Sequence, residues 1–233
     1  MKFKFRAIEK YMPWINIIHF IVQSETQIPK WLDRNKVNIV YHDEIIPKEQ
    51  LPTFNSSTIE MYINNIVGLS NKFIYGNDDT FPNNKLSPSN FFTKDNKIIT
   101  NIFKRKFYDM NWYHMLRNSM ALIYKLCNIK SYSRSYIDSP NHADVPMIRD
   151  NNIELYNNQL DVIYKASSMF RQNNNFSQFI WVLYSIYKKG GINKKMFNMK
   201  TLTINENKKE LIKELTIPNS VEYLCINDNE HNT

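Results

Sequence analysis

The chain contains very little glycine, with 4 residues among 233. Phosphate-binding loops of the P-loop and dinucleotide-binding types each need several glycines at fixed spacing, because the backbone must approach the phosphates closely. Neither pattern can be assembled from this sequence. The composition therefore excludes nucleotide-binding proteins of these two classes.

Cysteine is also scarce, and no long apolar run is present. Cys127 and Cys225 lie inside apolar segments, without a Cys or His neighbour at metal-ligand spacing, so we expect two reduced core residues and neither a zinc site nor a disulfide. No run approaches the roughly 18 apolar residues of a membrane-spanning helix. Residues 1–6 lack the apolar segment of a signal peptide. These features predict a soluble or peripheral protein, located in the cytoplasm or at the inner face of the membrane.

Basic residues exceed acidic ones. The chain has 30 Lys and Arg against 22 Asp and Glu, a formal net charge of +8, but the positive charges are scattered along the sequence. This balance fits three interpretations: a plain soluble protein rich in Asn, Lys and Ile, attraction to a membrane surface, or an anionic substrate. Because basic clusters are absent, nucleic acid is not an expected partner.

Short apolar runs alternate with segments of helical periodicity, which predicts a single α/β domain. Two of the runs, residues 73–75 and 221–226, end in clusters that contain Asp78, Asp79 and Asp228. Ligands of open α/β sheets collect beyond the carboxyl ends of the strands, so the two clusters are expected to meet at one site. Asn-Asp-Asp by itself is more often an ordinary turn sequence.

The periodicity also predicts the positions of individual elements. Ser57 and Glu60 have capping-box spacing before a helix, and His19 is interpreted as a hydrogen-bonded core residue within a buried strand. Helices are predicted at residues 109–128 and 176–189,. Strands are predicted at residues 15–22, 37–41, 73–75, 97–102, 199–204 and 221–226.

Several short motifs occur in a specific order. They are RAIEKYMPW at 6–14, QIPKWL at 27–32, His42 with IIP at 45–47, LPTFNS at 51–56, IE at 59–60, GLS at 68–70, and FIY and NDD within 73–79. In this order they resemble the second block of the Stealth family, which comprises sugar-phosphate transferases such as bacterial capsule polymerases and the lysosomal-enzyme GlcNAc phosphotransferase. His142 with Pro146, ASSMFR at 166–171 and the aromatic segment 176–187 resemble the third block, and CINDN at 225–229 resembles the fourth.

The resemblance covers nearly the whole chain and implies one transferase domain. The second block occupies about residues 1–106, the third about 140–190 and the fourth about 221–230. The implied fold is α/β and similar to the GT-A glycosyltransferases, with a mixed central sheet flanked by helices. The family's first block, a strand of the Thr-Trp-Val-Asp-Gly type, has no counterpart in residues 1–6.

Two positions depart from the family pattern. Asn175 stands where an Asp is usual, so a negative charge is missing near the proposed phosphate-binding Arg171. Gly76 stands where a bulkier apolar residue is usual, and we expect it to loosen the strand before Asn77.

The implied reaction transfers a hexose 1-phosphate from a UDP-sugar to a glycan hydroxyl and releases UMP. The resemblance assigns Asp78, Asp79 and Asp228 to a Mg²⁺ or Mn²⁺ ion. It implies that His142 is the general base and that Arg171 binds phosphate, with Asp79 also acting in catalysis. Further substrate-binding residues are implied at Arg6, Asn55, Ser56, Glu60, Asn77 and Asn227.

Several of these residues also have ordinary structural interpretations. Ser56 and Glu60 suit a helix start, Arg6 suits an exposed helix, and His142 suits a surface loop. Two other functions therefore stay open. One alternative is an ordinary glycosyltransferase that releases UDP. The other is a non-catalytic relative that binds nucleotide-sugar or glycan.

Overall fold

A computed structural model describes residues 1–130, 133, 135–204 and 217–228, with the backbone alone at 203, 204, 227 and 228. Within these residues the helices are α1 (Lys2–Tyr11), α2 (His42–Ile45), α3 (Ser56–Tyr62), α4 (Asn111–Leu126), α5 (Arg149–Asn158), α6 (Leu160–Ala166) and α7 (Phe179–Tyr187). The strands are β1 (Ile18–Val22), β2 (Val37–Tyr41), β3 (Lys72–Tyr75), β4 (Thr80–Pro82), β5 (Ile99–Thr100), β6 (Ile102–Lys106), β7 (Tyr136–Pro140), β8 (Val145–Ile148), β9 (Ile192–Asn193), β10 (Met199–Ile204) and β11 (Tyr223–Asp228).

The described strands form five small sheets. Three strands make a mixed sheet in the order β10-β11-β4, with β10 parallel and β4 antiparallel to β11. The remaining strands pair as β1-β2 and β5-β9, both parallel, and as β3-β8 and β6-β7, both antiparallel. The mixed α/β class is therefore confirmed. The expectation of one central sheet is wrong for the described residues, since β1 and β3 each pair on one side only.

The core is built around α7, α4 and the strands that they cover. The α7 segment FIWVLYSIY is apolar on all sides, which is typical of a buried helix, and residues 179–185 are buried,. Trp181 is fully buried, and its indole nitrogen donates to the backbone oxygen of Glu60. The predicted stripe on α4 is confirmed as core, since Leu116 and Ile123 are fully buried. Gly190, at φ +70°, follows α7 and accommodates the left-handed backbone after the helix,.

The elements that were not anticipated are β4, β7, β8, β9, α2, α5 and α6, together with most of β6. The strands β7 and β8 each contain a proline, Pro140 and Pro146, which normally argues against a sheet interior,. The α5 segment RDNNIELYNN is polar on most sides, and only Asn152 and Leu155 are buried. Short or polar elements of this kind carry almost no periodic signal, and tertiary pairing stabilises them.

The prediction of a buried first strand is only partly correct. β1 spans residues 18–22, and four of its five residues are half-buried. His19 is not a core residue, because its ring nitrogen Nδ1 bonds to exposed Asn38 at 2.9 Å. Across the described part of the chain, no helix has both the length and the apolar character needed to cross a membrane.

Candidate active site

A pocket of about 300 Å³ collects most of the predicted site residues. Seven of them line it: Ser56, Glu60, Asn77, Asp78, Asp79, His142 and Arg171. They come from four separate segments of the chain, namely α3, the turn after β3, the loop before β8 and the loop before α7. The arrangement is a concave site with acidic, basic and neutral hydrogen-bonding groups, as expected of a binding site for a charged ligand.

Two strand pairings bring these segments together. Tyr75 lies opposite Val145 in the antiparallel pair β3-β8, so the residues that follow β3 lie beside the residues that precede β8. In the pair β4-β11, Cys225 lies opposite Thr80, and the amide of Ile226 donates to the backbone oxygen of Asp79. The two acidic segments thus approach each other through antiparallel pairing, not at the shared carboxyl edge that we expected.

His142 and Asp79 form a hydrogen-bonded pair. The imidazole Nε2 lies 2.7 Å from Asp79 Oδ2, and both side chains are partly buried. The hydrogen bond to Asp79 raises the pKa of His142 above its ordinary value. Burial alone would raise the pKa of Asp79, but the hydrogen bond and the charge of His142 outweigh it and lower that pKa. Asp79 therefore orients the imidazole through Nε2 and makes it a stronger base,.

Asp79 also has a free oxygen that fits a metal ligand. Its Oδ1 atom is buried and has no hydrogen-bond partner among the described residues, and Asp78 lines the same pocket. A carboxylate oxygen without a partner suits Mg²⁺ or Mn²⁺, which prefer oxygen ligands. The predicted third ligand, Asp228, and the predicted substrate-binding Asn227 have side chains outside the described residues.

Cys225 is a neighbour of this pair that the sequence did not suggest. Its sulfur and one ligand atom each of Asp79 and His142 all lie within 4.8 Å of one another. Burial raises the pKa of the Cys225 thiol to about 11, with a smaller contribution from the charge of Asp79. The thiol is therefore neutral at physiological pH. The predicted core position is confirmed for Cys225, which is buried, and is wrong for Cys127, which is half-buried.

Arg171 and Ser56 form the cationic side of the pocket. The guanidinium Nη2 atom donates to Ser56 Oγ at 2.6 Å, and Arg171 is otherwise exposed. Its remaining donors bond to no residue in the described part of the chain. A planar guanidinium binds two phosphate oxygens at once.

Glu60 lies fully buried at the back of the pocket. Its carboxylate accepts from the Tyr75 hydroxyl at 2.9 Å and from the Gln178 amide at 3.3 Å. Burial raises the pKa of Glu60 from 4.5 to about 7, although these bonds and the charges of Arg171 and His142 act in the opposite direction. Glu60 is not part of a capping box, because Asn55 caps α3 instead.

The raised pKa of Glu60 predicts a pH-dependent stability. Between pH 4.5 and about 7 the folded chain holds a proton that the unfolded chain has lost, so the free energy of unfolding falls as pH rises through this window,. In Glu60→Gln that contribution is absent. We expect urea unfolding to show that the variant gains roughly 3 kcal/mol relative to the native chain between pH 4.5 and 8. A difference that does not change with pH would contradict the assignment.

Asn55 is a structural residue and does not contact the pocket. It is buried, its Oδ1 accepts from the Ser57 amide at 3.1 Å, and its Nδ2 donates to Asn175 Oδ1 at 2.8 Å. Asn175 in turn donates to the Ala166 backbone oxygen at 2.6 Å and to Ser168 Oγ at 2.8 Å. This network fixes the loop that carries Arg171. The amide at position 175 acts as both donor and acceptor, a role that an ionised carboxylate cannot fill.

Replacing Asn175 by aspartate should therefore destabilise the chain. Asn175→Asp loses two donated hydrogen bonds and places a buried carboxylate against the Ala166 carbonyl oxygen. We expect the free energy of unfolding to fall by about 1–3 kcal/mol in urea titrations. Asn173→Asp, at an exposed position in the same loop, is the matched control. Equal losses in the two variants would show that the network contributes nothing.

In helix α1, Lys4 forms a buried ion pair, whereas the predicted substrate-binding residue Arg6 is exposed. Arg6 is exposed and does not line the pocket. Lys4 is buried and bonds to both carboxylate oxygens of Asp144, at 2.5 and 2.6 Å. Gly76 is required here, because a Cβ at that position would lie 2.4 Å from Asp144 Oδ1. The glycine thus makes room for an ion pair next to the pocket instead of loosening the strand.

Sequence comparisons identify the relatives of the chain. Residues 1–102 match the family description Stealth protein CR2, conserved region 2. A capsular polysaccharide phosphotransferase of Streptococcus pneumoniae is 29% identical over 262 aligned residues, covering 99% of this chain and 77% of the relative. An exopolysaccharide phosphotransferase of Lactiplantibacillus plantarum is 40% identical over 129 residues, which cover 52% of this chain and 36% of the relative.

A third relative extends the similarity into the region that carries His142 and Arg171. A capsular polysaccharide phosphotransferase of Actinobacillus pleuropneumoniae is 32% identical over 188 residues, which cover 76% of this chain and 51% of the relative. The chain thus spans between 36% and 77% of the lengths of these three relatives. The family match, the near-complete coverage of the chain and the ordered motifs together show that the chain belongs to the Stealth family of sugar-phosphate transferases.

Proposed function

We propose that the chain transfers a hexose 1-phosphate from a UDP-sugar to a glycan hydroxyl during synthesis of a capsular or extracellular polysaccharide. The names of the relatives support phosphotransfer in this setting. The observation that carries the proposal is the single pocket in which the His142–Asp79 pair faces Arg171 and Ser56. A base on one side and a phosphate-binding cation on the other are what phosphoryl transfer to a hydroxyl requires.

The transfer forms a bond between the acceptor oxygen and the phosphorus that carries the hexose. The bond from this phosphorus to the bridging oxygen of the diphosphate breaks, and UMP leaves with the electron pair. His142 takes the proton of the acceptor hydroxyl at Nδ1, because Nε2 is held by Asp79,. Arg171 holds the non-bridging phosphoryl oxygens, and Ser56 keeps the guanidinium in place,.

Asp78 and Asp79 are the residues that would hold a divalent cation. The unpartnered Oδ1 atom of Asp79 is the observation that favours this role. A bound Mg²⁺ or Mn²⁺ neutralises charge on a diphosphate. Asn77 lines the same pocket and offers an amide to the sugar or the phosphate,.

The test is the identity of the released nucleotide. The chain is incubated with UDP-hexoses, Mg²⁺ or Mn²⁺ and a panel of glycan acceptors, and nucleotides are separated by chromatography. We expect UMP, and we expect Arg171→Lys to reduce its release about 10²-fold, because an ammonium cannot reproduce the planar fork. Arg34→Lys, which changes an exposed Arg outside the pocket, should retain the native rate.

Two other outcomes would contradict the proposal. Release of UDP would identify an ordinary glycosyltransferase. A higher melting temperature with UDP-sugar and metal, but no turnover with any acceptor, would identify a non-catalytic relative that binds the donor.

A further inference from the structure

A strip of aromatic side chains leads out of the pocket along the first turn of α4 and the loop before it. Trp112, Tyr113 and Tyr108 form this aromatic strip. Trp112 lines the pocket, its ring centre lies 4.9 Å from that of Tyr113, and the ring centres of Tyr113 and Tyr108 are 5.4 Å apart. Trp112 and Tyr113 are half-buried, whereas Tyr108 is 51% exposed. The aromatic strip therefore extends from the pocket to open solvent.

An arginine without an acidic partner lies beside the aromatic strip. The guanidinium carbon of Arg105 is 5.5 Å from the centre of the Trp112 ring and 5.0 Å from that of Phe103. The Nε atom of Arg105 is buried and makes no hydrogen bond, and Arg105 takes part in none of the ion pairs among the described residues. A buried donor without an acceptor is unfavourable, so its place beside a pocket favours a ligand that supplies the acceptor.

Arg105 and the aromatic strip belong to the His142 side of the pocket. The hydrogen bond to Asp79 raises the pKa of His142, and the positive charge of Arg105 acts in the opposite direction, so the guanidinium lies within electrostatic reach of the imidazole. Arg171 instead bonds to Ser56 at the start of α3. In the proposed reaction the acceptor hydroxyl is at His142 and the phosphoryl group is at Arg171. A surface that continues outward from His142 therefore lies on the path of the acceptor.

The open form of the aromatic strip fits a glycan better than a nucleotide-sugar. Sites for small molecules enclose most of the ligand surface, whereas a polymer has to extend beyond the pocket in which its end reacts. A sugar ring carries C–H groups on its faces and hydroxyl groups around its rim. It can therefore pack on an aromatic side chain while the hydroxyl groups stay hydrated.

We propose that the aromatic strip and Arg105 form the binding subsite for the acceptor, and that this acceptor is a glycan with a negative charge close to the sugar that reacts. That sugar packs against Trp112, with its hydroxyl group at His142. The anionic group of the adjoining unit accepts hydrogen bonds from the guanidinium of Arg105. The inference deepens the proposed function and rests on it, because the direction of the acceptor follows from the role of His142.

The charges near the aromatic strip also favour an anionic glycan. Lys106 is exposed, and its ammonium nitrogen lies 5.9 Å from the centre of the Tyr108 ring. Asp109 follows directly, but its carboxylate is bonded to His114 at 2.6 Å. Phosphodiester and uronate groups both supply the required chemistry, since either anion accepts two hydrogen bonds from one guanidinium.

The test compares three trisaccharides of equal length: one joined by phosphodiesters, one built of uronic acids, and one neutral. Isothermal titration calorimetry with the full chain measures Kd without turnover. The nucleotide assay measures KM for the acceptor and for the UDP-sugar separately. We expect at least one anionic trisaccharide to bind about 10-fold or more tightly than the neutral one, and the tighter of the two identifies the anion.

Two variants test the residues of the subsite. Arg105→Gln should raise Kd and KM for the anionic acceptor about 10–100-fold and leave KM for the UDP-sugar unchanged. Tyr108→Ala should raise both acceptor constants about 3–10-fold, and its exposed position makes it independent of any effect of Arg105→Gln on folding,. Arg34→Gln and Tyr164→Ala change an exposed Arg and an exposed Tyr outside the pocket and the aromatic strip, and should retain native values. Melting temperatures check that all four variants fold.

Four results would overturn the inference. The first is equal binding of the three trisaccharides, or binding of none. The second is unchanged acceptor constants in both Arg105→Gln and Tyr108→Ala. The third is a rise in KM for the UDP-sugar alone, which would place Arg105 in the donor site. The fourth is equally tight binding of a uridine oligonucleotide of the same charge, which would indicate a general polyanion surface.

Failure of the reaction is distinguishable from failure of the subsite. Anionic glycan binding that is lost in Arg105→Gln, without release of UMP by the native chain, would refute the transfer and support the subsite. Release of UMP at the native rate and with native acceptor KM in both variants would support the transfer and refute the subsite.

Discussion

Replacement of His142 by alanine is expected to lower kcat for UMP release by a factor of about 10²–10⁴. This is the range that a positioned general base contributes. The loss should appear in kcat more than in KM, because the proton transfer occurs in the transition state. His142 is partly exposed and lies in a loop, so the melting temperature should change little. Steady-state kinetics with the nucleotide assay give both parameters.

The chain offers a matched control for this variant. His114 also forms a hydrogen-bonded pair with an aspartate, with Nε2 lying 2.6 Å from Asp109 Oδ1, but His114 does not line the pocket. His114→Ala should retain nearly native kcat. If both variants lose activity equally, or if His142→Ala keeps more than a tenth of the native rate, His142 is not the base.

Replacement of Asp144 by alanine is expected to lower the free energy of unfolding by about 3–5 kcal/mol. The side chains of Lys4 and Asp144 are only 5% and 3% exposed, so the variant leaves an ammonium group buried without its counter-charge,. Thr80 also loses its bond to Asp144 Oδ1 at 2.7 Å. Urea unfolding at neutral pH measures the loss, with the slope of the transition checked for two-state behaviour.

Two further variants separate the ion pair from general damage. Adding Lys4→Met to Asp144→Ala should recover part of the lost stability, because it removes the uncompensated charge. Glu9 lies on α1, as Lys4 does, and forms an exposed ion pair with Lys36. Glu9→Ala removes this exposed pair and should lower the free energy of unfolding by only about 0–1 kcal/mol. A loss below 1 kcal/mol in Asp144→Ala, or no recovery in the double variant, would contradict the assigned role.

Much of the local structure could be predicted from the sequence. The helices α4 and α7 follow from apolar periodicity, and β2 and β10 were predicted with the bounds that are observed. Such elements depend on residues close in the chain, so a local pattern contains the information that specifies them. The elements that were missed, such as β8 and α5, lack a pattern of this kind.

The candidate site could be predicted only in part. His142 and Asp79 are 63 residues apart, and no periodicity relates them. Their contact follows from the antiparallel register of β3 and β8, which is a long-range pairing. The resemblance to Stealth proteins identified both residues but not their mutual hydrogen bond. It also indicated Arg6 and Asn55, whereas the structure leaves Arg6 in solvent and uses Asn55 as a helix cap.

The sequence by itself determined the α/β class, the ordered family motifs and the types of residue available at the site. Only the tertiary structure decided which strands pair and that Lys4 and Asp144 form a buried pair beside Gly76. The physical reason is the range of the interactions. Helix periodicity and caps act within a few residues, whereas strand register and buried charge pairs join segments that are distant in the chain.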